Sequence, residues 1–311
     1  TWHPADVNEV VTGSCLACIQ TEYIFSGQAA HAAGCPELGR SALDAAELCN
    51  IGVQFLREHM PPSARIHYAF TDGGGLSPNV VQPTARVLYM VRDERVKSAL
   101  ELQKRVDDVA AGAALMTGTQ LKKRFIDGCS ELLPNYALED ILYKNFSKTP
   151  LPVYTDEDWA LARALHASYR EQVAGQPVSR VPDEAIQAEV RRLSEDGGRA
   201  LNDFLMPLYH GALHEPGSTD VGDVSWLTPT AQVHALTYPS LCPGHSWQNV
   251  AAGKSRIAHE GMLLAARVLA GAAVDLIEQP ALLDAVRAEF SRRSAAGWQS
   301  PIPDGAVPEL V

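Results

Sequence analysis

Two histidines lie where the local sequence could present an imidazole ring to a metal ion. His3 precedes Pro4, which restricts the direction of the backbone, and His245 lies in a Gly/Pro loop, residues 243–247, between a predicted strand and a predicted helix. Loops at strand ends are where α/β enzymes place ligands, and neutral imidazole suits zinc and manganese. Both are candidate metal ligands, although a lone histidine in such a place is more often an ordinary loop residue.

A third histidine, His31, is surrounded by alanines and a glycine in residues 29–34. These small side chains leave room for another molecule to approach the ring. The pattern is equally compatible with a functional imidazole and with a loop histidine whose hydrogen bonds are satisfied locally.

Asp220 and Asp223 belong to a loop of short polar residues, 218–226. Paired carboxylates can orient metal-binding histidines through hydrogen bonds. They can equally form an Asx turn and cap the following helix, so the loop by itself leaves both roles open.

Three further motifs are weaker. Cys15 and Cys18 have the spacing of a redox or zinc motif, but on a predicted strand they point to opposite faces and no second pair follows, so we expect them to pack. The glycines at 73–75 lack the lysine and the spacing of a phosphate loop, and are expected to end a strand with close backbone approach. The sequence also lacks the G-x-S-x-G elbow of many serine hydrolases.

The charge of the chain excludes several classes of partner. Lys and Arg total 26 against 37 Asp and Glu, giving a formal net charge of -11, whereas nucleic acids and anionic membranes require a basic face. The longest apolar helical stretch, near residues 261–276, is interrupted by Arg267 and Asp275, so no membrane span is expected. Six cysteines in 311 residues do not indicate a disulfide framework, and we expect a soluble, cytoplasmic protein.

Hydrophobic periodicity predicts six elements in the first part of the chain. Strands are predicted at 15–25, 65–71, 84–91 and 119–126, and helices at 40–60 and 94–116. Ser41 is a plausible N-cap for the first helix, and Pro61 stops that helix. The order β-α-β-β-α-β is typical of a compact ferredoxin-like α+β domain.

After Pro134 the pattern becomes mostly helical. Helices are predicted at 136–146, 156–173, 183–193, 200–209, 255–276 and 280–296, and a strand at 230–236. Residues 149–196 are polar and interrupted by prolines, which favours an inserted surface element over a core element.

Four segments carry a resemblance to a known family. They are residues 27–33, 39–45, 77–81 and 218–226. In order and spacing they resemble the aminobenzoyl-glutamate utilisation protein B group, which belongs to the aminoacylase and glutamate-carboxypeptidase superfamily of metal-dependent amidohydrolases. The similarity extends from Thr1 to about Pro303 and is weakest over 149–216.

The resemblance implies an α/β catalytic domain of the metallopeptidase type with an inserted ferredoxin-like βαββαβ lid domain that forms the dimer. Residues 1–12 and 134–311 would belong to the catalytic domain, with a polar helical insertion at about 149–216, and residues 13–133 would form the lid. An earlier part, with a Cys/His ligand pair and a Glu-Glu segment that holds the general base, is not in this sequence. We therefore expect this chain to be inactive by itself.

The resemblance also implies a metal site. His3 resembles the histidine that closes the first half of the site, and His245 resembles the last ligand of the chain, with Asp220 and Asp223 supporting the ligands from behind. The complete enzyme would hold two divalent ions, zinc or manganese. Two histidines cannot hold a dinuclear site, so we expect no tightly bound metal in this chain alone.

The lid residues are implied to serve the substrate. His31 resembles the histidine that reaches the active site of the partner subunit and stabilises the oxyanion. Asn79 and Arg92 match the residues that hold the substrate carboxylate, although Arg92 without the resemblance would be a strand-end surface charge.

The sequence therefore predicts a homodimeric metal-dependent amidohydrolase. Its substrate would be an N-acyl or N-aroyl amino acid, with aminobenzoyl-glutamate first, or a dipeptide-like amide with a free carboxylate, attacked by a metal-bound hydroxide. The alternative is a non-catalytic oligomerisation module, or a subunit that needs a related partner chain for activity.

Overall fold

The structure is a computed structural model that describes residues 1–307 of the 311-residue chain. Two units can be distinguished. The first consists of Thr1–Gly13, Leu133–Leu213 and Leu227–Ala296. The second consists of Ser14–Leu132, His214–Trp226 and the chain from Gly297 onward.

The regular elements of residues 1–307 are numbered in chain order. The strands are β1 (Trp2–Ala5), β2 (Glu9–Val11), β3 (Ser14–Cys15), β4 (Ala17–Ser26), β5 (Arg65–Asp72), β6 (Thr84–Asp93), β7 (Gln120–Cys129), β8 (His214–Glu215) and β9 (Gln232–Leu236). The helices are α1 (Ala42–Arg57), α2 (Val96–Thr117), α3 (Tyr136–Lys148), α4 (Asp156–Ala167), α5 (Glu184–Leu193), α6 (Val221–Leu227), α7 (Trp247–Gly253), α8 (Arg256–Glu278) and α9 (Pro280–Arg293). Short 3-10 turns occupy Pro36–Leu38 and Ser294–Ala296.

The second unit contains one antiparallel sheet in the strand order β5-β6-β4-β7. Alternate residues of each strand point to the same face, which on β6 buries Ala85, Val87, Tyr89 and Val91. The inner faces of α1 and α2 pack on these residues and complete the core. The elements between Ala17 and Cys129 therefore have the β-α-β-β-α-β order that the periodicity predicts.

Local chemistry sets the ends of these elements. Helix α1 begins after Ser41, whose hydroxyl accepts a hydrogen bond from the backbone N–H of Asp44 at 3.0 Å, as the sequence predicts. Beyond β5, Gly74 has a φ of +83°, and a Cβ there would lie 2.4 Å from the carbonyl oxygen of Thr84. The glycine run therefore ends the strand through close backbone approach, as expected.

The first unit contains a three-stranded sheet in the order β1-β9-β2, with β1 parallel and β2 antiparallel to β9. Its core joins Val10, Val233 and Ala235 of the strands to Phe146 of α3 and Leu264 of α8. With its parallel and antiparallel sheets and surrounding helices, the chain has the mixed α/β class that was predicted.

The predicted helix at 200–209 is wrong, because tertiary hydrogen bonds hold this segment in an irregular path. The amide of Asn202 donates to the carbonyl of Asp6 and to the hydroxyl of Ser240, both at 3.0 Å. The N–H of Met206 donates to the carbonyl of Asn8 at 2.8 Å. Pro207 cannot donate a helical hydrogen bond.

Within residues 149–196, the stretch expected as a surface element, Tyr154 and Ala162 contribute to the core of the first unit. Tyr154, Ala162 and Leu201 are buried together with Leu236 of β9 and Ile257 of α8. This stretch is rich in polar residues, so the few apolar residues that reach the core were not recognised as core positions in the sequence. The helix predicted at 156–173 ends at Ala167.

Two segments that the sequence assigned to the catalytic part belong to the second unit. Residues 214–226 join it because β8 pairs with β3, and because the indole N–H of Trp226 donates to the carbonyl of Glu131 at 2.9 Å. Residues from 297 onward are grouped with it as well. Helices α6 and α7, with seven residues each, are too short to show a hydrophobic period and were not predicted.

Helix α8 carries an exposed apolar stripe. Met262, Leu263, Val274 and Ile277 are 46%, 50%, 50% and 79% exposed, on the side opposite the buried core positions. No helix between residues 1 and 307 has both the length and the apolar character needed to cross a membrane.

Gly27→Ala tests the packing that leads from β4 toward the His31 segment. A Cβ at Gly27 would lie 1.9 Å from the carbonyl oxygen of Arg40, so we expect a loss of about 1–3 kcal/mol in the free energy of unfolding. Gly112→Ala is the control, because a Cβ at this position in α2 meets nothing within 4 Å and should leave stability unchanged or raise it by about 0.5–1 kcal/mol. Urea unfolding measures both variants, and equal midpoints would contradict the prediction.

Candidate active site

His31 lies in a loop that follows β4 and pairs with the segment before β6. The carbonyl of Ala30 accepts from the N–H of Val81 at 3.0 Å, and the N–H of Ala32 donates to the carbonyl of Asn79 at 2.9 Å. These bonds hold the exposed side chains of His31 and Asn79 on neighbouring backbone segments. The structure therefore brings together two of the residues singled out in the sequence.

The hydrogen bonds of His31 define which ring nitrogen carries the proton. Nδ1 accepts from the backbone N–H groups of Ala33 at 3.2 Å and Gly34 at 3.0 Å. A neutral imidazole with Nδ1 as acceptor must carry its hydrogen on Nε2. His31 therefore presents an N–H donor on an exposed side chain.

Arg92 lies near the other end of β6, beside Cys18 of β4 and Arg65 of β5 in the strand register. Its Nη1 donates to the hydroxyl of Ser218 at 3.0 Å and to the carbonyl of Pro216 at 3.3 Å. Its Nε and Nη2 face the sulfur of Met90 at 3.2 and 3.1 Å. Because a thioether is a weak acceptor, this edge of the guanidinium remains suited to a carboxylate.

The thiol of Cys18 shares this environment. A hydrogen bond with Cys129 across the β4–β7 pair lowers its pKa, and the charge of Arg92 lowers it further against the effect of burial. Cys15 belongs to β3 rather than β4 and is buried, and burial raises its pKa. The two cysteines lie on different strands, and both pack inside the second unit, as expected.

Within one chain, Asn79 and Arg92 lie at opposite ends of the second unit's sheet. Thr84 begins β6 next to the Asn79 segment, and Arg92 is eight residues further along the same strand, which corresponds to about 26 Å at about 3.3 Å per residue. One small carboxylate cannot contact both side chains of a single protomer. His31 lies beside the Asn79 segment and is therefore also separated from Arg92 by the length of β6.

Asp223 has a structural task in the second unit. Its carboxylate accepts from the hydroxyl of Ser130 at 2.8 Å and from the N–H of Ser130 at 3.2 Å, which ties α6 to the end of β7. Asp220 is exposed, and Oδ1 accepts from the hydroxyl of Thr219 at 3.4 Å. Their support of metal-binding histidines stays a prediction.

In the first unit, His3 is exposed on β1 and has the opposite tautomer to His31. Its Nδ1 lies 2.7 Å from the carbonyl oxygen of Pro4, which can only accept, so Nδ1 carries the proton. The Nε2 lone pair is then free for a metal ion, as in metal-binding histidines that donate their other N–H to a backbone carbonyl.

His234 and Glu9 were missed in the sequence. Parallel pairing of β1 and β9 places His234 next to His3, with ring centroids 5.7 Å apart. Glu9 of β2 lies on the other side, with Oε1 at 2.7 Å from Nδ1 of His234. Only the register between strands more than two hundred residues apart brings these three side chains together, so no local motif could have revealed them.

His245 lies in the loop after β9, directly before Ser246, the N-cap of α7. Its φ of +57° is in the left-handed region that few residues other than glycine adopt. The side chain is exposed. A strained backbone in a loop at a strand end is consistent with a functional residue, and its role as a metal ligand stays a prediction.

The strand that carries His3 anchors this loop. The N–H of Leu241 donates to Asp6 at 2.6 Å, and the hydroxyl of Tyr238 donates to the carbonyl of Pro4 at 3.2 Å. Burial raises the pKa of Asp6 to about 6, although the hydrogen bond from Leu241 acts in the opposite direction. The His3 strand and the His245 loop are therefore one connected structure within the first unit.

These residues fit a metal site only in part. The free Nε2 of His3 is a suitable zinc or manganese ligand. Among residues 1–307, however, no three His, Cys, Asp or Glu side chains are placed to hold an ion together. The described residues could therefore contribute ligands to a metal centre but do not form a complete one.

Comparison with known proteins places these residues in context. No family model matches the chain. The chain is 37% identical over 321 aligned residues to one of the subunits of the p-aminobenzoyl-glutamate hydrolase of Escherichia coli strain K12, covering 99% of this chain and 64% of that protein. The resemblance found in the motifs is confirmed.

Two more distant similarities agree with it. Xaa-Arg dipeptidase of Mus musculus is 29% identical over 268 residues, covering 86% of this chain and 49% of that protein. The crystal structure of a protein described as an aminohydrolase, from methicillin-resistant Staphylococcus aureus, superposes with a TM-score of 0.52 at 12% identity, over 88% of this chain and 57% of that one. This last likeness shows the fold alone. The chain thus spans about half to two thirds of the length of these proteins.

The two histidine tautomers can be measured directly. We expect neutral His31 to carry its proton on Nε2 and neutral His3 to carry it on Nδ1, because Nδ1 accepts in His31 and donates in His3. Long-range ¹H–¹⁵N correlation spectra of the ¹⁵N-histidine-labelled chain at a pH above 8 distinguish the two forms, and His31→Gln and His3→Gln assign the signals. The same tautomer at both positions would contradict the prediction.

Proposed function

We propose that this chain is part of a metal-dependent amidohydrolase that cleaves N-acyl or N-aroyl amino acids, with aminobenzoyl-glutamate as the first candidate substrate. The similarity to a component of p-aminobenzoyl-glutamate hydrolase and to an Xaa-Arg dipeptidase supports amide hydrolysis. Both names describe substrates with a free carboxylate. The observation that carries the proposal is the free Nε2–H of His31, because an exposed donor held by its own loop suits an oxyanion.

The active site is formed across a homodimer. His31 and Asn79 are at one end of the second unit's sheet and Arg92 is near the other, and β6 alone extends about 26 Å from Thr84 to Arg92 at about 3.3 Å per residue. A two-fold axis can bring His31 and Asn79 of one subunit to Arg92 of the other, which a single chain cannot do. The homodimer predicted from the sequence is therefore also required for a complete substrate site.

Each lid residue has a role that its bonds allow. The Nε2–H of His31 stabilises the negative charge that develops on the carbonyl oxygen, and one such donor contributes about 3 kcal/mol. The substrate carboxylate replaces the Met90 sulfur at Nε and Nη2 of Arg92 and receives two charge-assisted hydrogen bonds. Asn79 contributes an amide to the same substrate from the other subunit.

The metal centre uses His3 and His245, with two zinc or manganese ions in the complete enzyme. When bound, such ions supply a hydroxide at neutral pH and polarise the amide carbonyl. His3 contributes Nε2, because Nδ1 is held by Pro4. The other ligands come from outside the described residues, and we expect metal analysis of the isolated 311-residue chain to find no tightly bound ion.

The same reasoning supports an inactive chain that needs further polypeptide. Strand β1 is an edge of its sheet, and the stripe of Met262, Leu263, Val274 and Ile277 on α8 is exposed. The unpaired backbone groups of an edge strand can bind a further strand, and an exposed apolar stripe can be covered by further polypeptide. The further polypeptide could belong to a related partner chain or to the same, longer chain. The two cases differ only in whether it is covalently joined to the described residues.

Complementation between two variants tests the shared site when the substrate concentration is kept far below the raised KM of Arg92→Ala, so that each variant alone is nearly inactive. In the complete native enzyme, His31→Ala should lower kcat by about 10²- to 10³-fold without loss of metal, and Arg92→Ala should mainly raise KM. Mixed His31→Ala and Arg92→Ala subunits should recover about a quarter of wild-type activity, because half of the dimers then contain one intact site. Release of p-aminobenzoate from p-aminobenzoyl-glutamate measures the rates.

His59→Ala is the control, because His59 is an exposed histidine between α1 and β5. It should leave both constants unchanged. No recovery on mixing, with exchange of subunits shown by mass spectrometry, would place both residues in the site of a single protomer. Loss of metal from His31→Ala would make His31 a ligand instead.

The dimer contact lies on an exposed apolar patch at the β5 edge. Tyr68 and Phe70 of β5 are 40% and 43% exposed, and Ile51 and Phe55 of α1 are 53% and 71% exposed. Arg57 of α1 donates to the carbonyl of Ile66, so the helix and the edge strand are neighbours. An edge strand with unpaired backbone groups and apolar side chains is suited to pairing with a second copy.

Phe70→Lys should disrupt this contact, because it places a charge in the patch and on the edge strand. Light scattering should show the wild-type chain at about twice 33.6 kDa and the variant close to 33.6 kDa. Val153→Lys is the matched control, since Val153 is 85% exposed in the first unit. A wild-type monomer, or an unchanged dimer for Phe70→Lys, would overturn the assignment of this patch.

A further inference from the structure

A cavity of about 460 Å³ lies in the first unit, and its lining includes none of the residues given a role above. Helix α4 and the turn that follows it form one wall, with Trp159, Arg163, His166 and Arg170. These positions are four, three and four residues apart, so they form a row along one face of the helix.

The opposite wall, residues 195–200, is attached to the core. Ala200 is buried in the cluster that contains Leu236 and Ile257, next to the buried Leu201. The guanidinium of Arg199 lies 5.2 Å from the ring centroid of Trp159 and so connects the two walls. Ala200 therefore anchors the end of this wall in the core, and Arg199 links the wall to α4.

The three arginines of the cavity differ in their partners. Arg199 is neutralised by Asp203 at 2.6 Å and by Glu195 at 3.0 Å. The guanidinium groups of Arg163 and Arg170 make no hydrogen bond or ion pair with any residue from 1 to 307. Because the chain carries a net charge of -11, carboxylates are plentiful elsewhere, yet none compensates these two arginines.

His166 adds a polar group without adding charge. It is buried, and desolvation together with the positive charge of Arg170 lowers its pKa. At neutral pH the ring can therefore donate one hydrogen bond and accept another. The wall of α4 thus combines two uncompensated guanidiniums, one neutral imidazole and an aromatic face.

We propose that this cavity binds a small dianionic ligand through Arg163 and Arg170. Guanidinium groups bind phosphate and carboxylate through paired hydrogen bonds, and both anions share this chemistry. The ligand would be a small phosphate compound or a short dicarboxylate. Trp159, already covered by Arg199 on one side, forms the apolar floor against which its non-ionic part lies.

Isothermal titration of the 311-residue chain with inorganic pyrophosphate, and separately with glutarate, tests the proposal at low ionic strength. Arg163→Gln and Arg170→Gln should each weaken binding about tenfold, and the double variant about a hundredfold. Arg191→Gln/Arg192→Gln is the matched control, because it removes the same charge from α5 outside the cavity. The control should stay within about twofold of wild type.

The outcomes separate the possible ligands. Binding of pyrophosphate alone assigns the site to phosphate compounds, binding of glutarate alone assigns it to dicarboxylates, and binding of both supports the shared chemistry. No binding of either probe at millimolar concentration would overturn the proposal. Equal weakening by the cavity variant and the control, with both shown to be folded by circular dichroism, would also overturn it, because long-range charge would then explain the binding.

Discussion

The parallel pairing of β1 with β9 is the constraint on which the first unit depends. The backbone nitrogen of Thr1 donates to the carbonyl of Ala231, which joins positions separated by 230 residues. Between these two strands the chain leaves the unit, builds the second unit's sheet and returns. Closing so long a loop is entropically costly, and the core formed by Val10, Val233 and Leu264 offsets that cost.

This pairing also determines the chemistry at the sheet edge. It places His3 beside His234 and brings Pro4 and Asp6 to the loop that carries His245. The carbonyl of Pro4 then holds Nδ1 of His3 and leaves Nε2 free. The backbone of β1 alone therefore fixes the tautomer of His3 and leaves the Nε2 lone pair available, and no second side chain takes part in this.

In the second unit, backbone groups also fix the tautomer of a histidine, but they select the opposite one. Backbone N–H groups of Ala33 and Gly34 occupy Nδ1 of His31, so its free nitrogen is a donor. The small residues around His31, which in the sequence only suggested space, provide the two N–H groups that select the tautomer. Since β4 and β6 extend for ten residues each, the same sheet that presents His31 keeps it far from Arg92. The proposed site uses both residues, and the proposal therefore takes them from two copies of the chain.

The sequence by itself determined the elements of the second unit and the residues most open to chemistry. Alternation on β6, the Ser41 cap and the glycines at 73–75 act over a few neighbouring residues, so their structural consequences could be predicted without the fold. The motifs containing His31 and Asn79 also indicated a resemblance, which the similarity to the E. coli protein confirms.

Only the tertiary structure decided the features that rest on distant contacts. Asn202 and Met206 exchange helical bonds for bonds to Asp6, Ser240 and Asn8, so the predicted helix at 200–209 does not form. The neighbours of His3 and the separation of Asn79 from Arg92 follow from strand register, which local sequence does not encode. Local patterns record which face of an element is apolar, whereas register and hydrogen-bond partners are selected by packing across the whole unit.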